Sequence, residues 1–390
     1  MKRLTKDQVS TLATLRAASG HSRRTILKGA AAAGAVAAMG PWIVKDALSS
    51  SGQVNFMGWS GYDFKEPFAA FTAQTGIKMN FLDQPDQDSM FAQCKLSLQT
   101  GAVDVVEPTL DRVEGWVSQD ILRGWDVNKL KLDNYEVAFV EGKSGDMATI
   151  KGERYYVPSV WGTEALTHDT KQAPMDWPTA TLGSLFDPAF EGKVVVRAHS
   201  SLAAMGRWLD SQGKLPKPWL DSYKDPAVTK ELWDIALAEA IKHKKNVVQF
   251  WNGENDAQAA FRTNGCTLGL TWDSTGYNLG KDLPIAYISP KEGAFGWQQG
   301  FMLMKNVKNV EQAHEWAKFI STKEGSAMWG KAFSANPTAK GAIDLADASV
   351  TKFYKAAYPG DALAKLWWWP SQPAWFIKLR GEYADKWKAA

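Results

Sequence analysis

Past residue 50 the chain alternates short apolar runs with amphipathic stretches. Val54, Phe56 and Met57 predict a buried strand over 54–57, closed by the aromatic turn Gly58-Trp59-Ser60-Gly61-Tyr62. Pro67, Phe68 and Phe71 open an amphipathic helix that ends at Thr75 and Gly76, where glycine takes the left-handed cap without a Cβ penalty. A strand over 77–82, a helix over 89–100, a strand over 103–106 and a short helix over 111–118 follow. Strand and helix alternating at this spacing predict right-handed crossovers and a parallel sheet. In such a sheet the ligand lies off the carboxyl ends of the strands. Trp59, Tyr62, Thr109 and Asp111 fall there, with Ser60 in the same turn.

The rhythm changes at 152–158, where a hairpin leads into 161–166, and 185–196 reads as a loop feeding a new central strand. Helices over 201–212 and 226–243, strands over 268–272 and 300–304, and an amphipathic helix over 310–321 complete the pattern. Roughly 340 residues suit two domains better than one core. The middle of the chain therefore reads as a second lobe inserted into the first. Lobe one takes 51–157 and about 273–335; lobe two takes 158–272 and about 336–390, with the last helices packing across both.

The first 50 residues follow other rules. Arg23 and Arg24, preceded by Ser22 and followed by Ile26-Leu27-Lys28 and an Ala/Gly-rich run to Gly40, have the order of charge and apolarity of a twin-arginine export signal. The run is too short and too soft to cross a bilayer, which takes about 20 apolar residues. The glycines lack a preceding strand and the spacing of a dinucleotide loop. Ala35-Val36-Ala37 offers a cleavage site, with 41–48 still open as leader. Localisation to the periplasm follows. Residues 1–50 hold eight Lys+Arg and two Asp+Glu, so the remainder has 37 against 40 and is mildly acidic. The basicity of the whole chain is thus an address label and gives no case for nucleic acid, so no nucleic-acid partner is expected.

Cys94 and Cys266 are expected in different lobes and unpaired, and neither sits in a zinc-type cluster. His168, His199, His243 and His314 show no metal-ligand spacing, so no metal or cofactor is expected.

Four stretches carry a family resemblance: NFMGWSGYDF; FTAQTGIKMNF; ERYYVPSVWGTEAL together with LFDPAFEGKVVV; and ISPKEGAFGWQQGFML. Through them, residues 53–390 resemble periplasmic solute-binding proteins of ABC importers, in the spermidine/putrescine-binding branch. The resemblance implies an α/β, two-lobed type-II periplasmic binding protein fold with the ligand cleft between lobes joined by crossover strands. It also implies a monomer that serves a permease and ATPase complex of the inner membrane. The family's aromatic box falls on Trp59, Tyr62, Trp272 and Trp297, all aromatic here; such faces hold a cation or sandwich methylenes.

The family's acidic anchors, however, fall on His199, Leu202 and Gln299. Asp111 stands at a polar aromatic position and Arg197 lies near the same mouth. A polyamine needs carboxylates to replace the hydration of each ammonium. Asp111 with the aromatics can hold one ammonium while Arg197 or His199 takes a carboxylate, which suits an amino-acid-like or opine-like zwitterion; Asp273 and Glu254 are further acidic candidates. The tail run Leu366-Trp367-Trp368-Trp369-Pro370 either covers the cleft or packs between lobes. The competing class is an exported enzyme, but GxSxG, HExxH and cysteine-cluster motifs are absent from the chain.

Overall fold

The computed structural model describes residues 52–177 and 179–390; the export leader lies outside them. The first unit is built from β1 (Gln53–Trp59), α1 (Lys65–Thr75), β2 (Lys78–Gln84), α2 (Gln87–Ser97), β3 (Val105–Val106) and the short α3 (Val113–Val117). Gly76 adopts the left-handed cap that ends α1, and the Asp86 carboxylate accepts from Ser89 N to start α2. β2, β1 and β3 run parallel in that order, the pairing expected of strands joined by helical crossovers.

β4 (Val157–Asp169), β5 (Val194–Val196), α4 (Ala198–Ser211), α5 (Pro226–Lys242), β6 (Val247–Phe250), α6 (Glu254–Thr263) and β7 (Leu268–Trp272) form the second unit. Asp225 caps α5 with Pro226 in the first turn, where its missing N–H costs nothing. β7, β5 and β6 are parallel neighbours, and β4 pairs antiparallel with β7. The chain continues through α7 (Asp273–Leu279), β8 (Ile285–Ile288), β9 (Phe295–Met304), α8 (Val310–Ile320) and α9 (Lys323–Phe333), and ends in α10 (Ala374–Ala389).

β9 joins the two sheets. Residues Phe295 to Phe301 pair with β4, whereas Met302 and Leu303 pair with Val106 and Val105 of β3. All ten residues of β9 are buried, and the hydrophobic run has the two-sided character of a central strand. One core gathers Phe56, Phe71, Phe301, Trp316 and Trp329; the other gathers Leu202, Trp219, Trp233, Phe376 and Trp387.

Near residue 273, where the return to lobe one was expected, the chain contacts both units: Leu279 of α7 is buried in the first core. β8 lies antiparallel on Leu166 to Asp169 of β4, so the chain stays with the second sheet. It crosses back inside β9, where the register shifts between Gln299 and Gly300. Along this segment Leu283 and Ile285 pack against the first core, whereas Ile288 and Phe295 bury their side chains in the second. The C-terminal α10 packs on α4 and α5 and also reaches α3 of the first unit. Both cysteines are buried free thiols.

Candidate ligand-binding cleft

The carboxyl ends of β1, β3, β5 and β7 converge, and a crevice lies between them. It spans about 400 Å³ of unfilled space, continuous in part with solvent. Of the residues expected here, Trp59, Thr109, Asp111, Arg197, His199, Trp272, Trp297 and Gln299 line it.

Trp59 and Trp272 meet edge to face at 5.8 Å, one at the end of each parallel sheet. The Trp59 indole N–H is bonded to the Glu107 carbonyl at 2.8 Å, which fixes the ring. Trp251 backs Trp272 at 4.8 Å, and the Arg197 guanidinium lies over both rings at 5.3 and 5.5 Å. Thr109 donates its N–H and hydroxyl to Gln87 Oε1 and bridges to Gln299 on β9, so the loop after β3 is tied to the crossover strand. The indole N–H of Trp297 and Oε1 of Gln299 are buried without a hydrogen-bond partner.

Ser60 and Tyr62 do not line the crevice. Ser60 is held by its N–H to the Gln84 carbonyl, and Gly61, at φ +92°, turns the chain away immediately after it. Tyr62 packs instead on Phe333 at 4.6 Å, where an aromatic side chain gains more from the first core than from the cleft. Glu254 and Asp273, the further acidic candidates, are buried outside the crevice. Glu254 accepts from Ser274, Thr275 and Gln258, and Asp273 from Thr163 N, Ser274 N and Tyr354.

The crevice also contains Trp369, from the tail run expected either here or between the lobes, and Gln87, Arg112, Glu164, Gln372 and Arg380, which were not expected. Arg112 follows Asp111 directly, and its Nε stands 3.1 Å from Asp111 Oδ2. Glu164 lay inside one of the family-like stretches; it accepts from Ser200 Oγ at 2.9 Å and faces Arg197 at 3.8 Å. Burial pushes its carboxyl up to about 7, against the pull of Arg197 and Ser200. Arg380 comes from α10 and donates to Gln372 Oε1 at 3.0 Å, while Gln372 N–H binds the Asp111 carbonyl. Burial and then Arg112 bring Arg380 down to about 9. His199 is held well below its ordinary value by burial and by Arg380, Arg197 and Arg112, so it is neutral at pH 7. Trp369 stacks on Phe295 at 4.7 Å and lies beside His199, so the tail run both covers the cleft and packs on the second core.

Among the described residues no group of three or more His, Cys, Asp or Glu side chains forms a metal cluster, and no helix is long and apolar enough to cross a membrane.

Residues 66–357 match the model of the bacterial extracellular solute-binding protein family, and residues 20–40 match that of the twin-arginine translocation signal. The chain is 24% identical over 336 residues to spermidine/putrescine-binding periplasmic protein 1 of Haemophilus influenzae, covering 85% of this chain and 88% of that one. It is 26% identical over 302 residues to the putrescine/agmatine-binding protein of Pseudomonas aeruginosa, covering 75% and 78%. Its fold is similar to that of a putative spermidine/putrescine ABC transporter from Listeria monocytogenes (TM-score 0.73, 18% identity, 87% and 99% of the two chains). It is also similar to the periplasmic binding protein MotA of A. tumefaciens B6 in complex with glucopine (TM-score 0.68, 14% identity, 86% and 99%).

Proposed function

The chain belongs to the bacterial extracellular solute-binding protein family and carries a twin-arginine signal, and from that premise we propose that it is the solute-capturing component of an ABC importer. Exported to the periplasm, it takes a small amine-bearing solute into the cleft and presents it to a membrane permease and its ATPase. The observation that supports this reading best is the crevice itself. Two sheets joined through β9 place Trp59, Trp272 and Trp297 around a space that also holds Asp111 and Glu164. Aromatic faces and carboxylates are the groups that replace water around an alkylammonium.

The protein acts as a monomer and leaves its solute chemically unchanged. Capture proceeds by separation of the lobes, entry of the solute and closure, with the binding free energy favouring the closed state. The intrinsic fluorescence of the mature protein, titrated with a panel of amines and amino acids, tests this directly. A saturable change with the ligand recovered intact is expected; a product released from the ligand would sink the reading. Asp111→Asn is expected to weaken amine-bearing ligands at least tenfold and to spare neutral ones, and equal losses for both would exclude Asp111 as a charge anchor.

A further inference from the structure

Resting on the reading of the crevice as a solute site, we propose that the solute carries an oxyanion, of carboxylate or phosphoryl type, seated among Arg112, Arg197 and Arg380. A plain polyamine, which has no such group, is rejected. The three guanidiniums come from three separate parts of the chain: the turn after β3, the residue before α4, and α10. All of them line the same crevice, with side-chain exposures of 3%, 13% and 4%.

Their hydrogen-bonding capacity is almost unused. Among the described residues, the one hydrogen bond these guanidiniums donate is from Arg380 Nη1 to Gln372. Arg112 Nε is buried with no hydrogen-bond partner, its contact with Asp111 being an ion pair without hydrogen-bond alignment. The neighbouring carboxylates do not fill the gap. Glu164 is held by Ser200 and stands 3.8 Å from Arg197, while Asp88 reaches Arg112 and Arg380 only at 3.7 and 3.8 Å from a largely exposed position, where water screens it. The start of α4, between Arg197 and His199, has no side-chain cap and leaves its first N–H groups open.

Buried guanidiniums that repel one another and lack acceptors are costly, and an oxyanion is the group that relieves both costs. An ammonium placed among the guanidiniums would meet three cations, whereas the unpartnered acceptors of the crevice, Glu164 Oε1 and Gln299 Oε1, remain for the amine end of the solute. The amine of the solute therefore lies on the aromatic wall, and its oxyanion bridges lobe one, through Arg112, to lobe two and the tail. Closure is thereby coupled to the anion: without it the three positive charges oppose the approach of the lobes, and with it they draw them together.

The test uses the mature full-length chain and calorimetry with 1,4-diaminobutane, 4-aminobutanoate and 3-aminopropylphosphonate, which share one amine end and differ at the other. An N-carboxyalkyl amino acid is added as a bulkier member. At least one oxyanion-bearing member is expected to bind 100-fold or more tighter than the diamine, with the order of carboxylate and phosphonate naming the group. Arg112→Gln and Arg380→Gln should each reduce that affinity tenfold or more. Arg380→Lys, which keeps the charge but loses the fork, covers the case in which Arg380→Gln does not fold and should still lose affinity severalfold. Tight binding of the diamine, or unchanged oxyanion affinity in the arginine variants, would overturn the seat and leave solute capture standing. No binding by any member of the panel would overturn solute capture by this cleft as well.

Discussion

At the scale of single residues, the cleft depends on buried groups whose state is set by their surroundings. Glu107, fully buried behind Trp59, accepts from Trp329 Nε1 and Ser159, while its Oε2 has no partner. Burial pushes it up to about 8, and Asp273 up to about 7. Their unfolded values lie near 4, so between the two the native state binds more protons than the unfolded state, and stability falls as pH rises. Their stabilising contribution is complete below about pH 4 and is lost as pH passes 7 to 8. Melting temperatures should accordingly fall by roughly several degrees between pH 7.5 and 9, above the range in which the histidines, neutral when buried, add an opposing slope. Glu107→Gln should raise the value at pH 8.5 and flatten the profile; a profile as steep in the variant as in the parent would exonerate this carboxyl. Trp272, only 7% exposed, predicts a double effect: Trp272→Ala should lose affinity and about 3–5 kcal/mol of stability in chemical unfolding, whereas Trp272→Phe should keep most of the stability. The tryptophans were legible in the sequence because each ends a strand or lies in one. Arg112 was not, since a charge beside Asp111 is indistinguishable from a solvated turn until the fold buries it.

At the scale of elements, the pairing of β4 with β9 sets where Trp297 stands in the cleft wall. Gly162 on β4 sits directly opposite Trp297 on β9, and a Cβ there would stand 2.4 Å from the indole and 2.8 Å from both carboxylate oxygens of Asp273. Gly162→Ala must therefore push the ring into the crevice. The expected outcome is at least a tenfold loss of affinity with a stability cost of about 1–3 kcal/mol, read by titration and by denaturant unfolding. Affinity equal to that of the parent would show that the ring can retreat elsewhere. The alternation of strands and helices was visible along the chain because each buries one face or two, and β1, α1, β5 and β7 appear close to where the apolar pattern puts them. β8 and the crossing point in β9 were not visible. Which sheet a strand joins is decided by long-range pairing, and no local pattern marks it.

For the whole molecule, the crevice between the two sheets has a direct reading in solution. Its wall is drawn from both units, so a solute gripped by both is expected to enter through a more open arrangement of them. X-ray scattering of the mature protein should show the radius of gyration falling on saturation with ligand, and an unchanged radius would mean that entry needs no separation of lobes. The two-lobed plan was legible from chain length and from the family-like stretches, but the contribution of the tail was not. Arg380, Gln372 and Trp369 lie some 170 residues or more beyond Arg197 and complete a wall begun at Trp59. One helix thus serves two masters: Arg380 of α10 reaches into the crevice while Phe376 and Trp387 of the same helix fill the second core. A substitution that shifts α10 on its core neighbours therefore moves a guanidinium in the cleft, and selectivity for cargo and resistance to unfolding vary together at this helix.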